Sequence, residues 1–170
     1  MDYVTFVYKN RKYKIPENEL IQYLVLEDNK KEYSIFWQRD PRWKNLRLGF
    51  GRTTIGTHGC FITSLGMMVH KRPDEVNEIL KNNGGFYKDL VKSPQAAKAL
   101  GLDYNGRDYD INHMPTYSPS IKEVWMGRSQ HFVLRIIENG KRYIIDPWTG
   151  RKEYINKYPF RSYRLFKQRF

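Results

Sequence analysis

The hydrophobic pattern of the chain changes its period near residue 120, and this change limits what the chain can fold into. From Gly59 to about His70 the apolar residues recur at helical spacing. Beyond residue 120 the pattern predicts strands in "IKEVWMG", "HFVLRII" and "KRYIIDPW", with a weaker strand in "SYRLFKQ". Asn139-Gly140 is typical of a tight hairpin turn between the second and third of these strands. Helices followed by antiparallel strands predict an α+β domain.

Two further helices are indicated by the residues at their ends. "RPDEVNEILKNNGG" has Pro73 at the first helical position and Gly84 just past the end. "SPQAAKALG" is predicted to begin with Ser93 as its N-cap and to end with Gly101 as its C-cap. Nearer the start, residues 2–15 alternate apolar and polar and predict a hairpin. A helix is predicted to open at Pro16 in "PENELIQYLVL", and the charged "EDNKKE" (27–32) is expected to be a surface loop.

Length and composition exclude several classes of protein. The chain has 170 residues, of which 40% are hydrophobic, as expected for one domain with a real core. Its single cysteine cannot form an internal disulfide, and no apolar run approaches the roughly 18 residues that span a membrane. The opening "MDYVTFVYKNRKYK" does not have the pattern of a signal peptide. We therefore expect cytoplasmic synthesis without membrane insertion, and another route of release if the protein acts outside the cell.

The chain is strongly basic, with a net charge of +12. Residues 60–106 carry only +1 of this, while residues 1–59 carry +4 and residues 107–170 carry +7. Such a field attracts polyanions, among them nucleic acid, anionic lipid and the acidic polymers of a bacterial envelope. A solvated surface that aids solubility is an equally good interpretation of the charge.

The only cysteine, Cys60, stands in "TIGTHGCFITSLGMMVH" at the predicted start of a helix. A helix N-terminus and a nearby imidazolium both favour the thiolate, which is the nucleophilic form. The backbone N–H of Cys60 would be free to stabilise an oxyanion, and Gly59 would let a substrate backbone approach. A lone cysteine at this place is also explained by packing.

One histidine and one carboxylate can be combined with Cys60 into a catalytic site. His70 is predicted at a helix C-terminus, His113 in a loop, and His58 pointing away from the thiol or capping a helix. His131 begins "HFVLRII", a rigid place for a general base. Asp146 ends the partner strand and would orient His131 if an offset or bulge brought them together, because a regular hairpin places His131 opposite residues 148–149. Asp146-Pro147 is also a common start of a turn.

Together the segments "QRDPRW", "TIGTHGCFITSLGMM" and "HFVLRII…YIIDPWTG" resemble the peptidase domains related to bacteriocin-processing, double-glycine-leader peptidases, a branch of the papain-like cysteine peptidases. The resemblance covers about residues 35–166 and includes forms found in phage and Firmicute cell-wall proteins. It implies a papain-like fold in residues 35–170, with N-terminal helices packed on a C-terminal antiparallel sheet. Residues 1–34 fall outside it, as a hairpin and helix extension.

The resemblance also implies the roles of four residues. Cys60 would be the nucleophile, His131 the general base and acid, and Asp146 the residue that orients the imidazole. Gln38 in "FWQRDPRW" would donate its side-chain amide to the oxyanion. Two departures are Phe61, where the family commonly has a small residue, and the position of Gln38, 22 residues upstream of Cys60. Three aromatic residues would shield the site or simply fill the core: Trp37, Trp43 and Trp148.

The expected reaction is cleavage of an amide bond through a thioester. The predicted substrates are peptides, with the stem peptides of peptidoglycan first, as for a phage or bacterial lysin held by anionic wall polymers. A non-catalytic papain-like module that binds nucleic acid or a protein through its basic surface is the alternative, and a transglutaminase or acyltransferase is a third. No metal is predicted, since no cysteine–histidine pair has zinc-ligand spacing, and no glycine loop predicts a nucleotide cofactor.

Overall fold

The computed structural model describes residues 2–8, 11–17 and 32–169. The chain divides into two compact units, Met1–Lys31 and Glu32–Phe170, whereas the predicted division followed residue 34. In the first unit strands β1 (Tyr3–Tyr8) and β2 (Arg11–Pro16) pair antiparallel, which confirms the predicted hairpin. The helix predicted to open at Pro16 and the loop predicted over 27–32 lie almost entirely outside the described residues.

The described part of the second unit contains four helices, which all precede its large sheet. They are α1 (Ile55–His58), α2 (Cys60–Val69), α3 (Pro73–Asn82) and α4 (Ser93–Leu100). The predictions of α2, α3 and α4 are confirmed. The predicted N-cap of α4 is wrong by one residue: Ser93 is the first helical residue, and Lys92 precedes it without a capping side chain. Gly101 ends α4 with φ +69, as its prediction as a C-cap requires.

Six antiparallel strands form the large sheet in the order β5-β10-β6-β7-β8-β9. Their bounds are β5 Leu102–Asp108, β6 Ser120–Met126, β7 Ser129–Glu138, β8 Lys141–Asp146, β9 Arg151–Tyr154 and β10 Phe160–Gln168. A small separate hairpin joins β3 (Phe86–Tyr87) to β4 (Leu90–Val91). The α+β class is thus confirmed.

Strand β10, predicted as the weakest strand, lies inside the sheet between β5 and β6. Its register shifts between Phe160 and Ser162 along β6, and again between Arg164 and Phe166 along β5. Each shift breaks the regular alternation of faces along the strand. The weak pattern in this stretch therefore reflects bulges and not an exposed edge.

The hairpin between β7 and β8 has the predicted two-residue turn. Asn139 and Gly140 both have positive φ, 50° and 71°, as a type I′ turn requires. Glu138 and Lys141 form the pair next to the turn, and the ladder runs without a shift to Leu134 and Ile145. The turn therefore sets the register that positions residues at the far end of both strands.

Helix α2 packs on one face of β7 and places its N-terminus beside the start of that strand. The ring of Phe61 stacks on Phe132 with centroids 4.0 Å apart, and the Ser64 hydroxyl donates to the Phe132 carbonyl at 3.3 Å. Leu134 and Ile136 continue this face into the main core, while Val133 belongs to a smaller cluster on the other face. The helices found in the described residues are all too short or too polar to cross a membrane.

Candidate active site

Cys60 is the first residue of α2 and is half-buried. The preceding helix α1 begins at the cap residue Thr54, whose hydroxyl accepts from the Thr57 amide, and it ends at His58. Only Gly59 separates the two helices. The amide of Cys60 thus belongs to the first turn of α2, where N–H groups have no acceptor within that helix.

The structure gives a reason for glycine at position 59 that differs from the expected approach of a substrate backbone. A Cβ at this position would lie 2.4 Å from the carbonyl oxygen of Ile55 and 2.8 Å from its Cγ2. The amide of Gly59 also donates to that carbonyl at 2.8 Å. The close contact of α1 with the start of α2 therefore requires glycine, whether or not a substrate approaches.

Phe61, which departs from the small residue common in the family, is a core residue. It is buried between two rings: it stacks on Phe132 and meets Phe166 edge-on at 5.8 Å. Phe61 also lines the cleft, so its ring forms part of the wall beside Cys60.

His131 is the third residue of β7 and is only 2% exposed. Its Nε2 lies 2.8 Å from Oδ1 of Asp146, which is fully buried at the end of β8. The thiol of Cys60 also interacts with this imidazole and contributes to the raised pKa of His131. The structure therefore brings together three of the four residues predicted for the site, in the order thiol, imidazole, carboxylate.

No bulge is needed to bring Asp146 to His131. The regular ladder ends at Leu134 and Ile145, so its continuation places Asp146 opposite Val133 and His131 opposite Trp148. His131 and Val133 lie on the same face of the sheet, and the carboxylate therefore meets the imidazole on a diagonal. The contact therefore forms within the regular register, as a two-residue diagonal across one sheet face, and not through the expected bulge or offset.

The carboxylate of Asp146 accepts hydrogen bonds from four groups. Oδ1 accepts from the Trp148 amide at 2.9 Å, in addition to its bond with His131. Oδ2 accepts from the Tyr158 hydroxyl at 2.6 Å and from Nζ of Lys157 at 3.0 Å. Sequence reasoning missed Lys157 and Tyr158, which follow β9 in a turn and carry no motif that links them to Asp146.

These contacts shift the proton affinities of the buried pair. Burial alone would lower the pKa of His131, but hydrogen bonds to Asp146 and Cys60, with the negative charge of both, raise it to about 9. Burial would likewise raise the pKa of Asp146, but hydrogen bonds from His131 and Tyr158 hold it well below its usual range. Tyr158 remains a hydroxyl donor, since burial and its bond to Asp146 raise its pKa to about 12. The imidazole is therefore charged at neutral pH.

Gln38 is buried and lines the same cleft as Cys60 and His131. Its backbone N–H donates to the Pro147 carbonyl at 3.0 Å, and its side-chain Nε2 donates to the Gly56 carbonyl at 3.1 Å. These bonds attach Gln38 to the turn after Asp146 and to α1. One N–H of Nε2 remains, while Oε1 has no hydrogen-bond partner among the described residues.

Cys60 and His131 lie on a cleft of about 670 Å³. Its walls are largely apolar, and its ionisable lining residues are Cys60, His131, His58, Asp89 and Arg164. His58, which was expected to point away from the thiol or to cap a helix, lines this cleft, and its Nδ1 lies 2.9 Å from the Thr57 hydroxyl. A smaller cavity of about 270 Å³ adjoins it, since Thr57 and Trp148 line both.

The three tryptophans differ in their surroundings. Trp43 is buried in the core and donates to the Trp37 carbonyl at 2.9 Å. Trp37 is 41% exposed and donates to the Trp148 carbonyl at 3.0 Å. Trp148 lines the cleft and carries the Arg39 guanidinium 4.8 Å from its ring centroid. Of the three, only Trp148 contacts the space in front of Cys60.

The other two histidines lie away from this cleft. His70 ends α2 and its Nδ1 lies 2.9 Å from the Ser34 hydroxyl. His113 stands 3.3 Å from Asp108 and 3.4 Å from Asp110 in an exposed loop. Within the described residues no three side chains of His, Cys, Asp or Glu form a group that could hold a metal ion. No protein-family model matches the sequence, and no curated protein matches it.

Proposed function

We propose that this chain is a cysteine peptidase with a papain-like fold. The observation that supports it best is that Cys60 and His131 line one cleft, with the imidazole charged and its Nε2 2.8 Å from the buried carboxylate of Asp146. A thiolate beside an imidazolium is an activated nucleophile with its proton donor already in place. The α+β architecture, with α2 packed on β7, is compatible with this fold.

The proposed reaction has two steps. The Cys60 thiolate attacks the carbonyl carbon of an amide, forming a C–S bond, and the His131 imidazolium gives its proton to the nitrogen as the C–N bond breaks. The amine leaves and a thioester remains on Cys60. His131, now neutral, takes a proton from water, whose oxygen attacks the thioester; the carboxylic acid is released and the thiolate–imidazolium pair is restored. Asp146 holds the imidazole in place and stabilises its charge.

The oxyanion in each step would be stabilised by two donors. One is the backbone N–H of Cys60 in the first turn of α2, where the helix dipole also favours negative charge. The other is the remaining N–H of Gln38 Nε2, whose position is supported by the bond to the Gly56 carbonyl. Gln38 is thus proposed as the fourth member of the site.

The proposed substrates are peptides, foremost the stem peptides of peptidoglycan, as for a phage or bacterial lysin. The net charge of +12 supports this choice, because a basic surface binds the anionic polymers of a cell wall. The protein would then act at the wall after release or as part of a virion. It would need no metal or cofactor.

The reactivity of Cys60 tests the proposal. Iodoacetamide labelling of wild-type protein should remain fast well below pH 8, whereas an ordinary thiol follows a pKa near 8.5. His131→Ala should slow labelling in that range, and His58→Ala, which removes a ring from the same cleft, should not. In parallel, release of amino groups from isolated cell walls and from soluble peptides tests the substrate.

The outcomes separate the alternatives. Fast labelling with cleavage of soluble peptides alone would keep the peptidase and reject the wall substrate. Labelling that follows an ordinary thiol, or none in the folded protein, would reject the enzyme. The preferred function would then be that of a non-catalytic module that binds nucleic acid or a protein through its basic surface. A steep loss of nucleic-acid affinity with salt would support it.

A further inference from the structure

Asp89 lies on the cleft that contains Cys60, in the turn between β3 and β4. It is the only carboxylate among the described residues that line this cleft. The mechanism proposed above does not use it. In a chain with a net charge of +12, an acidic group on the cleft that also contains the nucleophile has no role in binding the basic surface to its anionic partners.

The carboxylate of Asp89 is held in a defined position. The Thr53 hydroxyl donates to Oδ2 at 2.8 Å. On the other side Gly51 packs so closely that a Cβ there would lie 2.5 Å from both Cβ and Cγ of Asp89. The backbone of the turn is fixed as well, because the Phe50 amide donates to the Lys88 carbonyl at 2.7 Å.

The charge of Asp89 is not neutralised by the protein. No Lys or Arg in the described residues makes an ion pair with it, and its Oδ1 accepts no hydrogen bond from them. Arg164, which lines the same cleft, contrasts with it. The Nε of Arg164 donates to the fully buried Glu123 at 2.9 Å, and Glu123 also pairs with Arg107 and Arg161.

The wall beside Asp89 is apolar. Leu48, Leu90 and Val91 line the cleft on this side. An aliphatic stem packs well on such a surface while its charged end reaches a carboxylate. A carboxylate with one oxygen free, at the end of an apolar wall, fits a side chain that combines a hydrocarbon stem with a terminal ammonium.

We propose that Asp89 determines specificity by binding the terminal ammonium of an aliphatic, lysine-like side chain next to the scissile amide. This inference rests on the proposed peptidase function, since it places the cation of the substrate relative to the nucleophile Cys60. The preferred substrates are therefore peptides with a primary amine on a side chain close to the cleaved bond.

Thiol-directed reagents of different charge test Asp89 without requiring turnover. We would measure the labelling rate of Cys60 with a cationic, a neutral and an anionic methanethiosulfonate of similar size. The labelling rate with the cationic reagent, divided by the rate with the neutral reagent, should be about fivefold lower in Asp89→Asn than in wild type. This is the factor expected for one nearby charge in partly aqueous surroundings, about fivefold. Glu78→Gln, an equal charge change on exposed α3, is the matched control and should leave the ratio unchanged.

The neutral reagent also serves as the test of folding. Its rate should be the same in wild type and Asp89→Asn, and the charge-conserving Asp89→Glu should retain the preference for the cationic reagent. A ratio that is equal in wild type and Asp89→Asn would overturn the inference, as would an equal fall in Glu78→Gln.

Peptide kinetics distinguish the two proposals. For a peptide with lysine beside the cleaved bond, Asp89→Asn should raise KM about fivefold with little change in kcat, and a norleucine peptide should show no such change. Cleavage of both peptides without preference would reject the role of Asp89 and keep the peptidase. Suppose that neither peptide is cleaved, while the ratio of cationic to neutral labelling rates still falls in Asp89→Asn as expected. This result would reject the peptidase and keep the cation site.

Discussion

His131 Nε2 and Asp146 Oδ1 lie 2.8 Å apart on a diagonal of the β7–β8 pair. Their contact depends on the register set by the Asn139-Gly140 turn. Because side chains alternate between faces along a strand, a slip of one residue would move Asp146 to the opposite face of the sheet. The two-residue turn, which lies between two residues 15 positions apart in the chain, is thus part of what positions the imidazole.

The first prediction concerns the charge on His131. Cys60→Ala removes a hydrogen bond and a negative charge that stabilise the imidazolium, so the pKa of His131 should fall from about 9 in wild type toward its ordinary value of 6.5. Asp146 remains and keeps part of the upward shift. NMR titration of the imidazole resonances, assigned with His131→Gln, measures this directly; equal titration curves in wild type and Cys60→Ala would show that the thiol does not interact with the ring.

The second prediction concerns the dependence of stability on pH. The unfolded chain protonates Asp146 near its ordinary value of 3.8, and the folded chain protonates it only at lower pH. The folded state therefore binds fewer protons in that window, so the contribution of Asp146 is complete above pH 3.8 and is lost as the pH falls through the folded value. Asp146→Asn should lower the free energy of unfolding at pH 7 by about 3 kcal/mol, and the difference from wild type should shrink below pH 3.8.

Urea unfolding between pH 3 and pH 7 measures that difference. Asp40→Asn is the control, because Asp40 pairs with Arg42 on the surface, where an ion pair contributes about 1 kcal/mol or less. A difference between wild type and Asp146→Asn that stays constant down to pH 3 would contradict the prediction.

The third prediction separates two explanations of Gly59. If glycine is required by the Ile55 carbonyl, Gly59→Ala should destabilise the protein by about 2–3 kcal/mol through overpacking. Gly101→Ala, where the added Cβ meets nothing within 4 Å and only the positive φ is strained, should cost about 1 kcal/mol. Thermal and urea unfolding give both values. Unchanged stability with a loss of activity in Gly59→Ala would instead favour the approach of substrate as the reason for glycine.

The fourth prediction concerns Gln38. Gln38→Met retains roughly the length of the side chain but removes the amide donor without adding a charge, so kcat on a cleaved peptide should fall about 10²- to 10³-fold while KM changes little. Iodoacetamide labelling of Cys60 should remain within about twofold, since alkylation at carbon forms no oxyanion. A rise in KM at constant kcat would indicate that Gln38 binds substrate and does not stabilise the oxyanion.

Local signals predicted the elements that a few neighbouring residues control. The start of α3 at Pro73, the turn at Asn139-Gly140 and the C-cap at Gly101 all follow from residues within one turn of the position concerned. Helix α1 and strands β3, β4, β5 and β9 were not predicted. Strand β10 was predicted only as a weak strand, because its bulges break the alternation on which strand prediction depends.

Some residues of the candidate site could likewise be identified from the sequence, and others could not. Cys60, His131, Asp146 and Gln38 were identified from residue type, order and resemblance, and the structure places all four on or beside one cleft. Lys157, Tyr158 and Asp89 were not identified. Each reaches the site from a turn whose path depends on packing between distant segments, and no spacing along the chain signals such a contact.

By itself the sequence determined the α+β class, the β7–β8 register and the chemical groups available for reaction, because periodicity, turn chemistry and residue type act over a few residues. Only the tertiary structure decided which groups meet. The diagonal of the sheet brought Asp146 to His131, the turn after β9 supplied its remaining donors, and the contact of Gly51 with the β3–β4 turn placed Asp89 on the cleft. These contacts join residues far apart in the chain, and they form only when the whole core is packed.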